Sequence, residues 1–213
     1  MKIGPVIAGL ATVLLVACGP IHVPQEKTYV LSSPAEVATL ERSRTQKTLL
    51  VSLPTPNPGF DTNAMVYELT PYNLQFYADH QWAAPPAQML LPVLAQLIRH
   101  QGYFKAVVAT PYGGVADYYL DTRLIVLQQE FLQPMSRVHL VLQETLTDTS
   151  TNEIIASKQF VIYEEAPGNN PYSGVVAANK ALQLIGAKVA EWVTQQCAAI
   201  KLKSRAQRGD SGK

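Results

Sequence analysis

The stretch DYYLDTRLIVLQQEFLQPMSRVHLVLQETLTDTSTNEIIASKQFVIY, residues 117–163, decides the fold. It holds three β-rich runs, Asp117–Phe131, Arg137–Thr147 and Glu153–Tyr163, separated by a loop containing Pro134 and by Asp148-Thr149-Ser150-Thr151-Asn152. In the middle run Val138, Leu140, Leu142 and Leu146 alternate with Arg137, His139, Gln143 and Thr145. A period of two sends the first set to one side of a sheet and the second to the other, so the expected unit is an antiparallel meander with one covered and one wet face. In the third run Ile154, Ala156, Phe160 and Ile162 share a face, interrupted by Lys158.

The cover comes next along the chain. Ala166-Pro167-Gly168-Asn169-Asn170-Pro171 breaks the last strand, and Tyr172–Ile200 is helical in composition, with Ala178, Leu182, Ile185, Val189, Trp192 and Val193 forming a stripe. Ala177, Ala181, Gly186, Ala187 and Ala190 permit close packing, although Gly186 weakens the helix by about 1 kcal/mol relative to Ala. A second helix is expected from Pro85 to Gln101, where Leu90, Leu91, Leu94, Leu97 and Ile98 recur at helical spacing behind two prolines that suit a first turn. Pro92 is expected to kink or break it, because proline lacks the N–H that the ladder needs. Upstream, Thr28–Ser32, Thr48–Leu53, Met65–Leu69, Leu74–Ala78 and Tyr103–Ala109 read as strands, Ala35–Arg44 as a helical segment and Pro54–Gly59 as an extended or flexible loop. Gly113-Gly114 reads as a hairpin turn. The expected fold is therefore α+β: a single domain over residues 28–200, with a mixed, mostly antiparallel sheet whose C-terminal meander is covered by helices at about 85–101 and 172–200.

The composition agrees with one core. Of 213 residues, 47% are hydrophobic and 15% charged, with a formal charge of +1. Such a chain is not mostly disordered, and near-neutrality argues against nucleic acid as a partner, since phosphate binding needs a basic surface. The total hides a split. Residues 18–200 hold 11 basic and 15 acidic side chains, whereas Lys201–Lys213, which lacks periodicity and is expected to be a disordered tail, holds five basic and one acidic.

The N-terminus sets the compartment. Lys2 is followed by an uncharged, mostly apolar run from Ile3 to Ala17, too short for a comfortable membrane span and laid out as a secretory signal peptide, residues 1–17. Its end, Leu15-Val16-Ala17-Cys18-Gly19, resembles the bacterial lipobox, in which the cysteine receives diacylglycerol before cleavage. Cys18 is thus the expected lipidation site, and two or more acyl chains anchor a protein stably. Residues 18–27 form a short tether; its last nine residues, Gly19–Lys27, reach about 30 Å when extended. Gly19 stands where Asp favours inner-membrane retention in Gram-negative sorting, so by that resemblance the destination is the periplasmic face of the outer membrane. With the thiol of Cys18 acylated, Cys197 has no disulfide partner within the chain and reads as a small apolar residue near a helix end.

The same sequence carries few signs of chemistry. His22, His80, His100 and His139 are scattered without metal-ligand spacing, so no metal site is expected. Asp117 and Asp121 could share a strand face, which a solvated surface explains. Phosphate-loop and nucleophile-elbow patterns are absent, and Ser173-Gly174 lacks the preceding glycine. No catalytic residue and no cofactor is expected. What stands out is an aromatic cluster, Tyr72, Phe76, Tyr77 and Trp82, which either belongs to the core or forms a partner-binding surface.

A lipobox, then Thr28-Tyr29-Val30-Leu31, then Tyr77, Trp82-Ala83 and Pro85 leading into Met89-Leu90 and Leu94, then Asp121 and Leu124, and a final helix around Ala177-Ala178 and Ala181-Leu182 together resemble the ABC-type transport auxiliary lipoprotein family. The three prolines at Pro54–Pro58 depart from its pattern. The resemblance implies an α/β domain with helices against a mixed or antiparallel sheet. It also implies a non-enzymatic accessory subunit, anchored in the outer membrane, that works with an MCE-domain protein and an ABC permease and ATPase in intermembrane lipid transport. A homo-oligomeric ring would suit that role. The alternative is a structural or assembly lipoprotein of another envelope machine, such as a secretion apparatus or peptidoglycan synthesis, because fold alone does not fix function.

Overall fold

A computed structural model describes residues 25–32 and 43–210, with the backbone alone for 201–210. The signal peptide, Cys18, the tether up to Pro24 and most of the expected Ala35–Arg44 helix lie outside the described residues. Among the described residues, nine strands and two helices follow in the order β1 (Lys27–Tyr29), β2 (Thr48–Val51), β3 (Thr55–Pro56), β4 (Ala64–Glu68), β5 (Leu74–Trp82), α1 (Pro86–His100), β6 (Ala106–Ala109), β7 (Tyr118–Glu130), β8 (Arg137–Asp148), β9 (Glu153–Glu165) and α2 (Pro171–Asp210).

The meander forms as its alternation requires. β7, β8 and β9 pair antiparallel along almost their whole length, with Leu120 opposite Leu146, Leu124 opposite Leu142 and Leu140 opposite Ile162. β7 is the hub of the sheet. Its free side is shared in turn by β2 at Tyr118–Leu120, β3 at Arg123–Leu124 and β4 at Gln129–Glu130, all parallel to it. β6 lies parallel beyond β2, β5 antiparallel beyond β4, and β1 parallel beyond β5. The result is a mixed sheet in an α+β domain, as expected. β2 shows why its run is continuously apolar: it sits between β6 and β7, and Leu49, Leu50 and Val51 are all buried.

Both helices lie against this sheet. α2 packs on β8 and β9, and α1 packs beside α2 and reaches β6 and β2. Every residue of the expected α2 stripe is buried, and Leu182, Ile185, Val189 and Val193 are completely so. Burying such a side chain contributes about 1.5–3 kcal/mol, which is why the helix needs no exceptional propensity. Gly186 lies where the two helices approach closely, since a Cβ there would collide with Cδ1 of Leu97. Its cost to the isolated helix is offset by that approach.

Several details differ from expectation. α1 runs through Pro92 without interruption. Pro92 and Gln88 are both on the exposed side, so the carbonyl that loses its helical donor can be hydrated. β6 begins three residues late, after Tyr103 and Phe104, whose rings meet edge to face 5.0 Å apart in the core. Gly113-Gly114 is not a hairpin turn, because β6 and β7 flank β2 instead of pairing with each other. The proline loop is ordered through β3 and by the Asn57 N–H donating to the Leu124 carbonyl at 2.8 Å. A register shift between Leu146 and Thr147 turns Ile154 out to solvent and brings Ile155 against the core in its place. α2 continues ten residues past Ile200 to Asp210, so most of the expected disordered tail is helical. Among the described residues, no helix is long and apolar enough to cross a membrane.

Candidate functional site

The four aromatic residues singled out in the sequence do not form one cluster. Trp82 is buried in the core, and Tyr77 packs against the core, its ring 4.4 Å from that of Tyr67 and its hydroxyl donating to Gln129 Oε1 at 3.0 Å. Burial, with the neighbouring Tyr67, raises the Tyr77 phenol well above its ordinary range. Tyr72 and Phe76, by contrast, face solvent. Strand alternation separates Phe76 from Tyr77, and a register shift in the β4–β5 ladder between Ala64 and Val66 puts Trp82 on the side of Tyr77 instead of that of Phe76.

Tyr72 owes its position to a buried acid. It has φ 68°, a left-handed conformation uncommon for a bulky residue, and its N–H donates to Glu68 Oε1 at 2.7 Å. Glu68 Oε2 accepts from Gln128 Nε2 at 2.7 Å. The chain of contacts continues to Glu130, whose Oε1 is 2.9 Å from His139 Nδ1 and whose Oε2 accepts from Arg137 Nε at 2.9 Å. Tyr163 closes it, stacked on His139 at 4.2 Å and lying 4.1 Å under the Arg137 guanidinium. Burial holds His139 below its ordinary pKa, opposed by the carboxylate of Glu130. The expected wet face of β8 is therefore partly covered at this end, and its polar residues are internal props. Each carboxylate oxygen of Glu68 and Glu130 has a hydrogen-bond partner, and the cluster fixes the β4–β5 turn.

On the helix side of the same strand end, Gln129 organises a second knot. Its Nε2 donates to Ser136 Oγ at 2.9 Å and to the Asn170 carbonyl at 3.2 Å, and Ser136 Oγ donates to the Gly168 carbonyl at 3.0 Å. Asn170 caps α2, accepting the Ser173 N–H at 2.9 Å, with Pro171 in the first turn. Ser173 is thus part of a helix start.

The other candidates separate. Asp117 pairs with Lys47 at 2.7 Å and accepts the Thr48 N–H, while Asp121 stays exposed, so they form no carboxylate pair. His80 pairs with Asp79 and stacks on Tyr29, and among the described residues no group of three or more His, Cys, Asp or Glu could hold a metal ion. Cys197 is buried, which pushes its thiol up to about 12, an unreactive packing residue. The void beside Trp82, lined by Met65, Leu127 and Ala178 among others, is about 10 Å³, room for one water at most.

One buried group has no sequence signal beyond its own charge. Glu144 is fully buried on the helix side of β8, with Oε2 accepting from Thr122 Oγ1 at 2.8 Å and Oε1 unpartnered. Lys158 is its register partner on β9, yet the ammonium lies over the Phe160 ring instead.

The fully exposed Tyr72 thus sits on a turn propped by buried, hydrogen-bonded carboxylates. Among solved structures the chain is similar to protein XCC0632 from Xanthomonas campestris, with TM-score 0.69 and 20% identity over 84% of this chain and 97% of that one. It is also similar to an uncharacterized protein, with TM-score 0.63 and 14% identity over 79% and 99% of the two chains. Both likenesses concern the fold alone. No curated protein sequence matches the chain. The model of one family, the ABC-type transport auxiliary lipoprotein component, matches residues 29–190, which is nearly all of the domain just described. With that match, the chain belongs to the family of ABC-type transport auxiliary lipoprotein components.

Proposed function

We propose that this protein is a non-enzymatic accessory subunit of an MCE-type intermembrane lipid transport system, held by acyl chains on Cys18 at the periplasmic face of the outer membrane. The observation that carries the reading is the pairing of the family match over residues 29–190 with the lipobox Leu15–Cys18 directly ahead of it. The architecture supports a docking role, with polar clusters spent on bracing turns. Of the four aromatic residues, Tyr72 and Phe76 are exposed, while Tyr77 and Trp82 serve the core. Oligomerisation into a ring would give a conduit its symmetric seat.

Two measurements test this. Cys18→Ala is expected to move the protein wholly from the membrane fraction to the soluble fraction without changing its melting temperature, since the domain begins beyond the tether. Retention of the variant in membranes contradicts the anchor. Affinity purification of the wild type from crosslinked cells is expected to recover an MCE-domain protein. Recovery of a secretion or cell-wall component instead favours another envelope machine.

A further inference from the structure

Six of the large apolar residues left exposed lie together at one end of the sheet. The β4–β5 turn contributes Leu69 and Tyr72, the start of β5 Leu74 and Phe76, and the β7–β8 loop Leu132 and Met135, with exposures from 40% at Leu132 to complete exposure at Tyr72. β4 and β7 run parallel, with Glu68 beside Glu130, and the Phe131 N–H donates to the Glu68 carbonyl at 2.8 Å. The two loops therefore project side by side. Beneath them Glu68 and Glu130 are buried and fully partnered, so the tip can leave water without stripping a bare carboxylate.

The N-terminal segment points to the same end. β1 is parallel to β5 with Lys27 opposite His80, so the chain entering β1 comes from the direction of Leu74. From Lys27 back to Cys18 the tether reaches about 30 Å, whereas the six residue steps of β5 from His80 to Leu74 span about 20 Å. An acyl anchor on Cys18 thus arrives at the level of the tip with about 10 Å to spare. The opposite end, where exposed Val115 precedes β7, can be reached only if the tether reverses.

We propose that the loops carrying Leu69, Tyr72, Leu74, Phe76, Leu132 and Met135 rest in the lipid headgroup layer of the membrane that holds the anchor. This rests on the anchored-lipoprotein reading and adds an orientation to it. The acyl chains hold the protein on the surface and the tip fixes which end faces it, an aromatic and aliphatic set suited to an interface. α2 runs from the tip end, where its start is tied to Ser136 and Gln129, toward the other, so the domain stands upright and its C-terminal helix points into the periplasm.

Lipidated full-length protein, purified from membranes and reconstituted in phosphatidylethanolamine and phosphatidylglycerol vesicles with brominated acyl chains, tests this. Trp82 and Trp192 are buried, and Tyr72 and Val115 are exposed, so Tyr72→Trp and Val115→Trp each add one surface reporter. The Tyr72→Trp protein is expected to lose most of its added emission to the brominated lipid, with a blue shift, and the Val115→Trp protein none. Flotation of the same samples separates the two readings. Protein that fails to float overturns the anchor and this orientation together; protein that floats with equal quenching at both positions, or with none at Tyr72→Trp, overturns the orientation alone.

Discussion

Glu144→Gln is expected to raise stability by several kcal/mol above pH 8 and to flatten the pH dependence of unfolding. Glu144 is completely buried, and desolvation by that burial lifts its carboxyl from an ordinary 4.5 to about 8, against the opposing Thr122 hydrogen bond and reinforced by nearby Asp121. Below pH 4.5 the side chain is protonated in folded and unfolded chains alike, and it contributes no pH dependence. Between 4.5 and 8 the unfolded chain gives up the proton while the folded one keeps it, so stability falls steadily as pH rises. Above 8 the loss is complete, at about 5 kcal/mol, a large share of the ~5–15 kcal/mol that holds a domain together. Glutamine has the same shape, can keep the Thr122 contact and never ionises. Urea denaturation at pH 5 and pH 9 is expected to show the wild type weakening sharply and the variant changing little; parallel losses in both proteins contradict a neutral buried Glu144.

The second large effect is expected at Gln129. Replacing it with alanine removes the acceptor of the Tyr77 hydroxyl and the donor to Ser136 and Asn170, and it opens a cavity under the start of α2. Stranding the Tyr77 hydroxyl and creating that space are together expected to cost about 3 kcal/mol. The site also couples to Gly174, where a Cβ would collide with Gln129 Oε1. Gly174→Ala is accordingly expected to destabilise the wild type but to be tolerated beside Gln129→Ala, a non-additivity that a double-mutant cycle in urea measures. Additive losses would mean that Gln129 does not set the approach of α2 to the sheet.

These two residues show where sequence reading stops. Glu144 sits in a run read for its leucines, and alternation assigns it to the covered face without saying that no cation will meet it. The apparent partner, Lys158, is in register but turns its ammonium to Phe160. Gln128-Gln129-Glu130 shows no useful alternation. A register shift at Ile125 puts Leu124 and Leu127 on the same face and thereby sends Gln129 under α2 and Gln128 and Glu130 to the other side. The aromatic cluster failed as a unit for a similar reason: a shift within the β4–β5 ladder inverts parity between Phe76 and Trp82.

Local pattern determined much of this protein. Two-residue alternation defined the meander, 3.6-residue spacing the two covering helices, breakers at Gly102 and Pro167–Pro171 their limits, and the apolar N-terminal run with its cysteine the expected compartment. These signals are legible because they depend on neighbours a few residues away. Tertiary structure alone decided that β2, β3 and β4 share one side of β7, that Pro92 is tolerated, and that the exposed apolar residues of two distant loops meet at the end toward which the N-terminal chain leads. Those outcomes depend on contacts between residues more than fifty positions apart and on register shifts of one or three residues, and each such odd shift reverses every face assignment beyond it, which no short window of sequence records.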